Sequence, residues 1–408
     1  MATLHPFRAQ RPLPQFVQEV ASVPYDVISV EEARALAAGK PKSFLHVIRP
    51  EIDLPPGTDE HADAVYAMGA KNMRRYIEAE HTTQEDHPTV YVYRLVMKGR
   101  AQTGLFGCVS VAEYDNNTIV KHEKTRPVKE DDRTRHIVEQ QAHAEPVMLT
   151  YRDNEQVNAL VDKAMAGDPL YDFTAADSVR HTVWRVQTND ALVDAFSDVA
   201  TLYIADGHHR SKASSRAAEQ LRAERPQSGS TPEYAFFPAV LFPMSHMHIM
   251  AYNRTIQELP TSPSEFLAHL DERIDLDKNI DNPVPQEKGT ICLYLDGAWH
   301  RGALPPTDRS TVADQLDVAR LSEYLLEPLL DITDPRRDAN IDFVGGIRGT
   351  DALEKRVDTG AAELAISMYP TRIEELIAVS DAGQLMPPKS TWFEPKLRSG
   401  LLVHRFDD

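Results

Sequence analysis

The chain has 408 residues, 42% of them hydrophobic and 26% charged, with a formal net charge of −18 at pH 7. Those values predict a globular protein with two or three domains or one large elaborated unit. The acidic balance excludes a general binder of nucleic acid or anionic membrane, which needs a basic footprint, but leaves room for a local basic pocket. No apolar stretch approaches ~18 residues, so no membrane span is expected, and the first twenty residues lack an apolar signal core. Cys108 and Cys292 are the two cysteines. So few thiols predict a reduced, cytoplasmic protein without a Cys-rich zinc site.

In chain order, Ser29 and Glu32 have capping-box spacing and start a helix that runs to about Ala38. Ser43 to Val47 reads as a short strand and Asp59 to Glu80 as a long helix. Val90 to Val96 and Thr103 to Val111 form a hairpin through Lys98-Gly99-Arg100. Helix is expected at 155–165 and strand at Val179 to Val186. The apolar run Val199 to Ile204 reads as a buried strand, followed by a helix from Ser211 to Arg222. Phe236 to Phe242 is a strand, placed at a sheet edge because of Pro238. Polar spacers at 227–231 and 279–288 read as loops.

A second hairpin turns at Asp296. A helix from Leu316 to Leu326 is limited by Pro328. Strands at Ile341 to Val344 and Ala361 to Ser367, then a helix from Arg372 to Ala382, complete the chain. The alternation implies α/β to α+β, with mixed sheets and helices. The expected division is a region 1–235 and a region 236–408 with a tail returning toward the site, or one integrated unit.

Three polar clusters carry the chemistry. Asp206-Gly207-His208-His209-Arg210-Ser211 joins a strand to a helix. A glycine there admits a ligand close to the backbone, and the helix start aims N–H groups and a positive dipole end at it. Gly207, His209, Arg210 and Ser211 are therefore expected to bind phosphate. Lys121 to Arg133 holds His122, Glu123, Lys124 and Arg126 ahead of a helix begun by Pro127, on which Asp132 and His136 lie one turn apart. Met386 to Lys396 offers Lys389, Ser390 and Thr391 as anion or substrate contacts beside Trp392 and Phe393. No Walker loop, Rossmann glycine fingerprint or Gly-x-Ser-x-Gly elbow is present.

On Pro24-Tyr25-Asp26-Val27-Ile28, His122-Glu123-Lys124-Thr125, Asp131-Asp132-Arg133, the Asp206 to Arg210 box and Met386 to Thr391, the chain resembles, over nearly its whole length, the family catalogued as domain of unknown function 1015. The Gly207-His208-His209-Arg210 box followed by Ala213 is similar to the nucleotide-binding box of the ParB/sulfiredoxin superfamily, which includes the free serine kinases. That resemblance implies a ParB/sulfiredoxin-like nucleotide-binding core with elaborations, in which Gly207, His209 and Arg210 contact nucleotide phosphates. His208 stands where sulfiredoxins carry a reactive Cys, so sulfiredoxin activity is not implied.

These readings predict a small-molecule kinase using ATP or ADP with Mg²⁺ on an amino-acid hydroxyl such as that of serine. His122, Glu123, Asp206 and His208 are its catalytic candidates, and Asp206 is also a possible Mg²⁺ contact. Two alternatives remain: a phosphatase of a small phosphomonoester such as phosphoserine, with His208 or His209 as nucleophile or acid, and a non-catalytic nucleotide or phosphometabolite sensor. The expected partners are small molecules, with neither nucleic acid nor membrane; the sequence leaves the oligomeric state open.

Overall fold

The computed structural model describes residues 1–225 and 229–406. The loop expected at 227–231 lies partly outside the described residues. The chain divides into two compact units: unit 1 is Met1–Met247 with Pro395–Asp408, and unit 2 is His248–Glu394. A boundary at 235/236 would instead cut unit 1, because the strand beginning at Phe236 pairs on both sides within its sheet.

Among the described residues, unit 1 is built on an eight-stranded mixed sheet. Its strands are β1 Tyr91–Met97, β2 Arg100–Ser110, β3 Ile119–Val120, β4 Val147–Tyr151, β5 Tyr171–Thr174, β6 Arg180–Arg185, β7 Leu202–Asp206 and β8 Phe236–Pro243. They lie in the order β3-β7-β4-β8-β2-β1-β6-β5. The helices used below are α1 Val30–Ala37, α2 Asp63–Glu78, α3 Pro127–Gln140, α4 Glu155–Ala164, α5 Asn189–Phe196 and α6 His208–Glu224. Helix α3 packs on both α2 and α6. Alternate residues of the strands, such as Val92, Leu105, Leu149, Leu202 and Ile204, enter one fully buried core.

Local chemistry explains much of this. The Ser29–Glu32 capping box forms, with Glu32 N–H donating to Ser29 Oγ at 3.2 Å and Ser29 N–H to Glu32 Oε2 at 2.8 Å. The β1–β2 turn places Lys98 at φ 50° and Gly99 at φ 80°, the paired left-handed conformation that matches strand twist.

Three expectations fail for nonlocal reasons. The strand expected at Ser43 to Val47 is a short helix, Leu45–Ile48. Helical winding buries Phe44, Leu45, Val47 and Ile48 together with Met73 and Tyr76, whereas strand alternation would turn half of them away. Strand β8 is interior rather than at an edge: Pro238 sits opposite Cys108 of β2, but pairing with β4 begins only at Ala239, so the missing N–H breaks no ladder bond on that side. Pro328 does not end its helix. The α-helix Asp317–Leu321 passes into a π-helix, Ser322–Leu326, and resumes as Glu327–Leu330 with Pro328 in its first turn, where an N–H is dispensable.

Unit 2 carries a six-stranded antiparallel sheet: β9 Tyr252–Ile256, β10 Asp275–Lys278, β11 Thr290–Leu295, β12 Ala298–Ala303, β13 Ile341–Gly345 and β14 Leu364–Met368. The order is β10-β12-β11-β14-β9-β13. The β11–β12 hairpin turns at Asp296 and Gly297, both at positive φ.

Candidate functional site

Strands β3 and β7 run parallel, with Val120 beside Tyr203, so the segments leaving them emerge side by side at their carboxyl ends. Ligands gather at such ends because two chains diverge there. The β7–β4 register shifts between Ile204 and Asp206, an irregularity that re-aims the strand end. Gly207 then adopts φ 100°, ψ 32° as N-cap of α6 and supplies no capping side chain. The first intrahelical bond is Ser211 N–H to the Gly207 carbonyl at 2.8 Å, so the N–H groups of His208, His209 and Arg210 precede the helical ladder. A Cβ at Gly207 would lie 3.0 Å from Val147 Cγ1 and 3.2 Å from Arg210 Nε. Gly207→Ala is therefore expected to cost about 1–2 kcal/mol from the left-handed backbone alone and to lower the melting temperature of unit 1 by about 5 °C. A thermal melt within 1–2 °C of the parent, on about the precision of such scans, would contradict the strain.

His122, in the loop after β3, is 2% exposed and meets the buried His208 ring edge-to-face at 4.4 Å. Burial pushes the His122 imidazole down to about 4, against the opposing pull of Asp206 and a hydrogen bond to the Ile204 carbonyl. His208 is held well below its ordinary value by burial and by His122. Both rings are thus neutral at pH 7, and His122 Nδ1 and His208 Nε2 have no hydrogen-bond partner. His209 is half-buried, and its Nε2 accepts from the Arg126 N–H at 3.1 Å. That bond docks the loop carrying Glu123, Lys124 and Arg126 onto the start of α6. Lys124 and Arg126 are exposed and Glu123 is half-buried.

Behind this face lies a buried charge network. Asp206 Oδ2 is 3.1 Å from Lys396 Nζ and 3.8 Å from Arg210 Nη2. Burial alone would raise the Asp206 pKa, but the two cations outweigh it and hold the carboxyl well below the usual range. Arg210 Nη2 also faces Asp26 Oδ2 at 3.6 Å, and Nη1 donates to the Pro146 carbonyl at 2.5 Å. Glu145 accepts from Tyr25 N–H at 3.1 Å and from Ser399 Oγ at 3.0 Å, its pKa raised by burial and pulled back by Arg210 and Arg133. Arg133 stacks on Tyr25 at 4.1 Å and pairs with Asp132 at 2.7 Å. Asp132 is 3.8 Å from His136 Nε2.

The structure thus brings His122, Glu123, Lys124, Arg126, Asp206, Gly207, His208 and His209 to one place. Other expected contacts differ from the sequence reading. Arg210 turns inward to the network instead of toward the helix start, because Asp26 and the Pro146 carbonyl meet it there. Ser211 is fully buried and donates to the Gly207 carbonyl at 3.1 Å. Lys389, Ser390 and Thr391 belong to unit 2, where Ser390 Oγ donates to the Pro387 carbonyl at 2.6 Å and Lys389 Nζ lies 5.4 Å from the Tyr252 ring centroid. Asp26 and Glu145 gave no chemical signal in the sequence; Lys396, at the end of the third cluster, did.

The family model described as a protein of unknown function, DUF1015, matches residues 4–319. No curated protein matches. Solved structures with similar chains include a free serine kinase in complex with AMP, at 11% identity and TM-score 0.34, covering 73% of this chain and 91% of that one. A conserved hypothetical protein from Pyrococcus furiosus gives 11% identity, TM-score 0.36 and coverages of 72% and 95%. A C-terminally truncated SbnI from Staphylococcus aureus gives 12%, 0.37, 73% and 86%. At these values none of the likenesses reaches individual site residues. Among the described residues no helix is long and apolar enough to cross a membrane.

Proposed function

The chain belongs to the DUF1015 family of proteins of unknown function, and we propose that unit 1 is a nucleotide-dependent small-molecule phosphotransferase, acting on an amino-acid hydroxyl such as that of serine. The observation that supports this best is the start of α6. A left-handed glycine leaves the first N–H groups without a side-chain cap, beside two buried neutral imidazoles with unpartnered nitrogens and a docked loop bearing Lys124 and Arg126. Such a helix start favours phosphate. The exposed Asp26 and the half-buried Asp206 and Glu145 already face Arg133, Arg210 and Lys396, so positive charge for phosphate would come from Lys124, Arg126 and the helix dipole.

In the proposed reaction the acceptor oxygen attacks the terminal phosphorus of ATP or ADP, and the bond from that phosphorus to the bridging oxygen breaks. The nucleotide leaves with one phosphate fewer, and the hydroxyl proton passes to the Glu123 carboxylate. Glu123 suits that role better than His122, which burial makes a weak base, and better than Asp206, which its cations keep ionised. The burial of His208 likewise argues against a phosphohistidine route. Among the described residues no three His, Cys, Asp or Glu side chains are grouped to hold a metal ion. Mg²⁺ is usually held by one or two carboxylates together with the substrate phosphates, and Asp206 is already paired with Lys396. Mg²⁺ is proposed to enter as part of the nucleotide substrate.

Calorimetric titration with ATP and ADP tests the site. The Lys124→Ala/Arg126→Ala double variant is expected to bind about 100-fold more weakly, each charge-assisted contact contributing about 1.5 kcal/mol. Equal binding would remove the loop from the site. Tight nucleotide binding without turnover would leave the sensor reading.

A further inference from the structure

We infer that a cavity within unit 2 binds a small organic anion, a carboxylate or phosphate ester, gripped by Arg254 with its organic part against Phe343. The cavity has a volume of about 370 Å³, within the size range of ligand pockets and larger than an inorganic ion requires. Arg254, on β9, is 3% exposed. Its guanidinium donates to the carbonyls of Tyr252 and Lys389, and among the described residues no carboxylate pairs with it. Other cavity arginines differ: Arg336 binds Asp334 at 2.8 and 3.0 Å, and Arg309 lies 3.7 Å from Glu323 and 3.9 Å from Glu327.

A buried cation satisfied by carbonyls alone is costly, and an anion would relieve that cost. Burial pushes Arg254 down to about 10, opposed only by Tyr252. Its guanidinium lies 5.7 Å from the Phe343 ring centroid. That ring and the apolar wall of Val318, Leu326, Pro387 and Pro388 suit an organic body.

Two irregularities converge on the same cavity. Lys389, whose carbonyl meets Arg254, has φ 60° although it is not glycine; such strain clusters at ligand clamps. The π-helix Ser322–Leu326 contributes Ser322 and Leu326 to the wall, and π-helical turns are frequent at functional sites. The third polar cluster of the sequence thus acquires a role through its backbone and prolines. The inference is independent of the phosphotransferase reading of unit 1.

The test is calorimetric titration of the full chain with phenyl phosphate and, separately, benzoate, which distinguishes a phosphoryl from a carboxylate ligand. Saturable binding of at least one is expected, weakened about 10-fold or more in Arg254→Met by loss of the charge-assisted bonds. Arg254→Lys should fall between parent and Met variant, and the Arg254-dependent binding should persist in Lys124→Ala/Arg126→Ala, which separates it from any phosphate binding in unit 1. Failure of both probes to bind, equal binding by Arg254→Met, or loss of the Arg254-dependent binding in Lys124→Ala/Arg126→Ala each overturns the inference.

Discussion

Lowering the pH from 7 to 5.5 is expected to destabilise unit 1 by at least about 2.5 kcal/mol. His122, His136, His143, His181 and His208 are all buried there. Burial pushes His122 down to about 4 and His181 to about 3, and holds the other three well below their ordinary value. The neighbouring charges do not rescue them. His136 faces Arg133, Arg135 and Arg49 against Asp132 alone; His143 faces His404; His181 faces Arg398; and Asp206 serves both His122 and His208.

The unfolded chain takes up protons at these imidazoles as pH falls through about 6.5, while the folded chain does not until far lower, so stability falls with pH across that window. The effect is about 1.3 kcal/mol each for His122 and His181 between pH 7 and 5.5, with His136, His143 and His208 acting in the same direction, against a typical total of about 5–15 kcal/mol. Scanning calorimetry at pH 7.0, 6.0 and 5.5 should show one transition dropping steeply. A transition that stays flat over this range would contradict the buried neutral histidines.

Arg210→Ala is expected to destabilise unit 1 by about 2–4 kcal/mol, chiefly because a buried carbonyl loses its donor, with a smaller share from two partly exposed acids that lose a counter-charge. Without the guanidinium, Asp26 and Asp206 lose a counter-charge at 3.6 and 3.8 Å, and the Pro146 carbonyl loses its donor. Lys396 still neutralises Asp206 and Arg133 still faces Glu145, but Asp26 loses the arginine it faces. The melting temperature should fall by about 10 °C, at roughly 2–4 °C per kcal/mol for a unit of this size. Arg210→Lys should recover part of the loss, since it keeps the charge but not the fork. A melt for Arg210→Ala within about 2 °C of the parent, less than one kcal/mol on that scale, would place the residue outside the structural network. Loss of activity in Arg210→Ala would therefore not by itself identify a phosphate ligand.

The difference between Arg210 as sequence and Arg210 as structure marks what the chain makes legible. Signals confined to a few neighbouring residues can be read directly: the Ser29–Glu32 box, the Lys98-Gly99 and Asp296-Gly297 turns, and the strand–Gly207–helix joint. Each depends on backbone conformations that only certain residues adopt. The convergence of the Asp206 box with His122 depends on the parallel pairing of β3 and β7 across 83 positions of sequence. No local pattern encodes that pairing.

Side-chain direction is harder still. Whether Arg210 faces outward to phosphate or inward is decided by Asp26 and Pro146, which lie far away in the chain. Pro238 and Pro328 were misread for the same kind of reason: their cost depends on which partner would have accepted the missing N–H. The strand expected at Ser43 to Val47 gave way to burial against Met73 and Tyr76.

The phosphotransferase reading is tested most directly by phosphorus NMR of the full chain with Mg²⁺, in separate samples of ATP with L-serine, ADP with L-serine, and phosphoserine alone. A new phosphomonoester resonance is expected in a sample holding both nucleotide and serine, slowed about 10²- to 10⁴-fold in Glu123→Gln, the range for loss of a general base. Phosphate released from phosphoserine without nucleotide, or no phosphomonoester in either nucleotide sample, would contradict it.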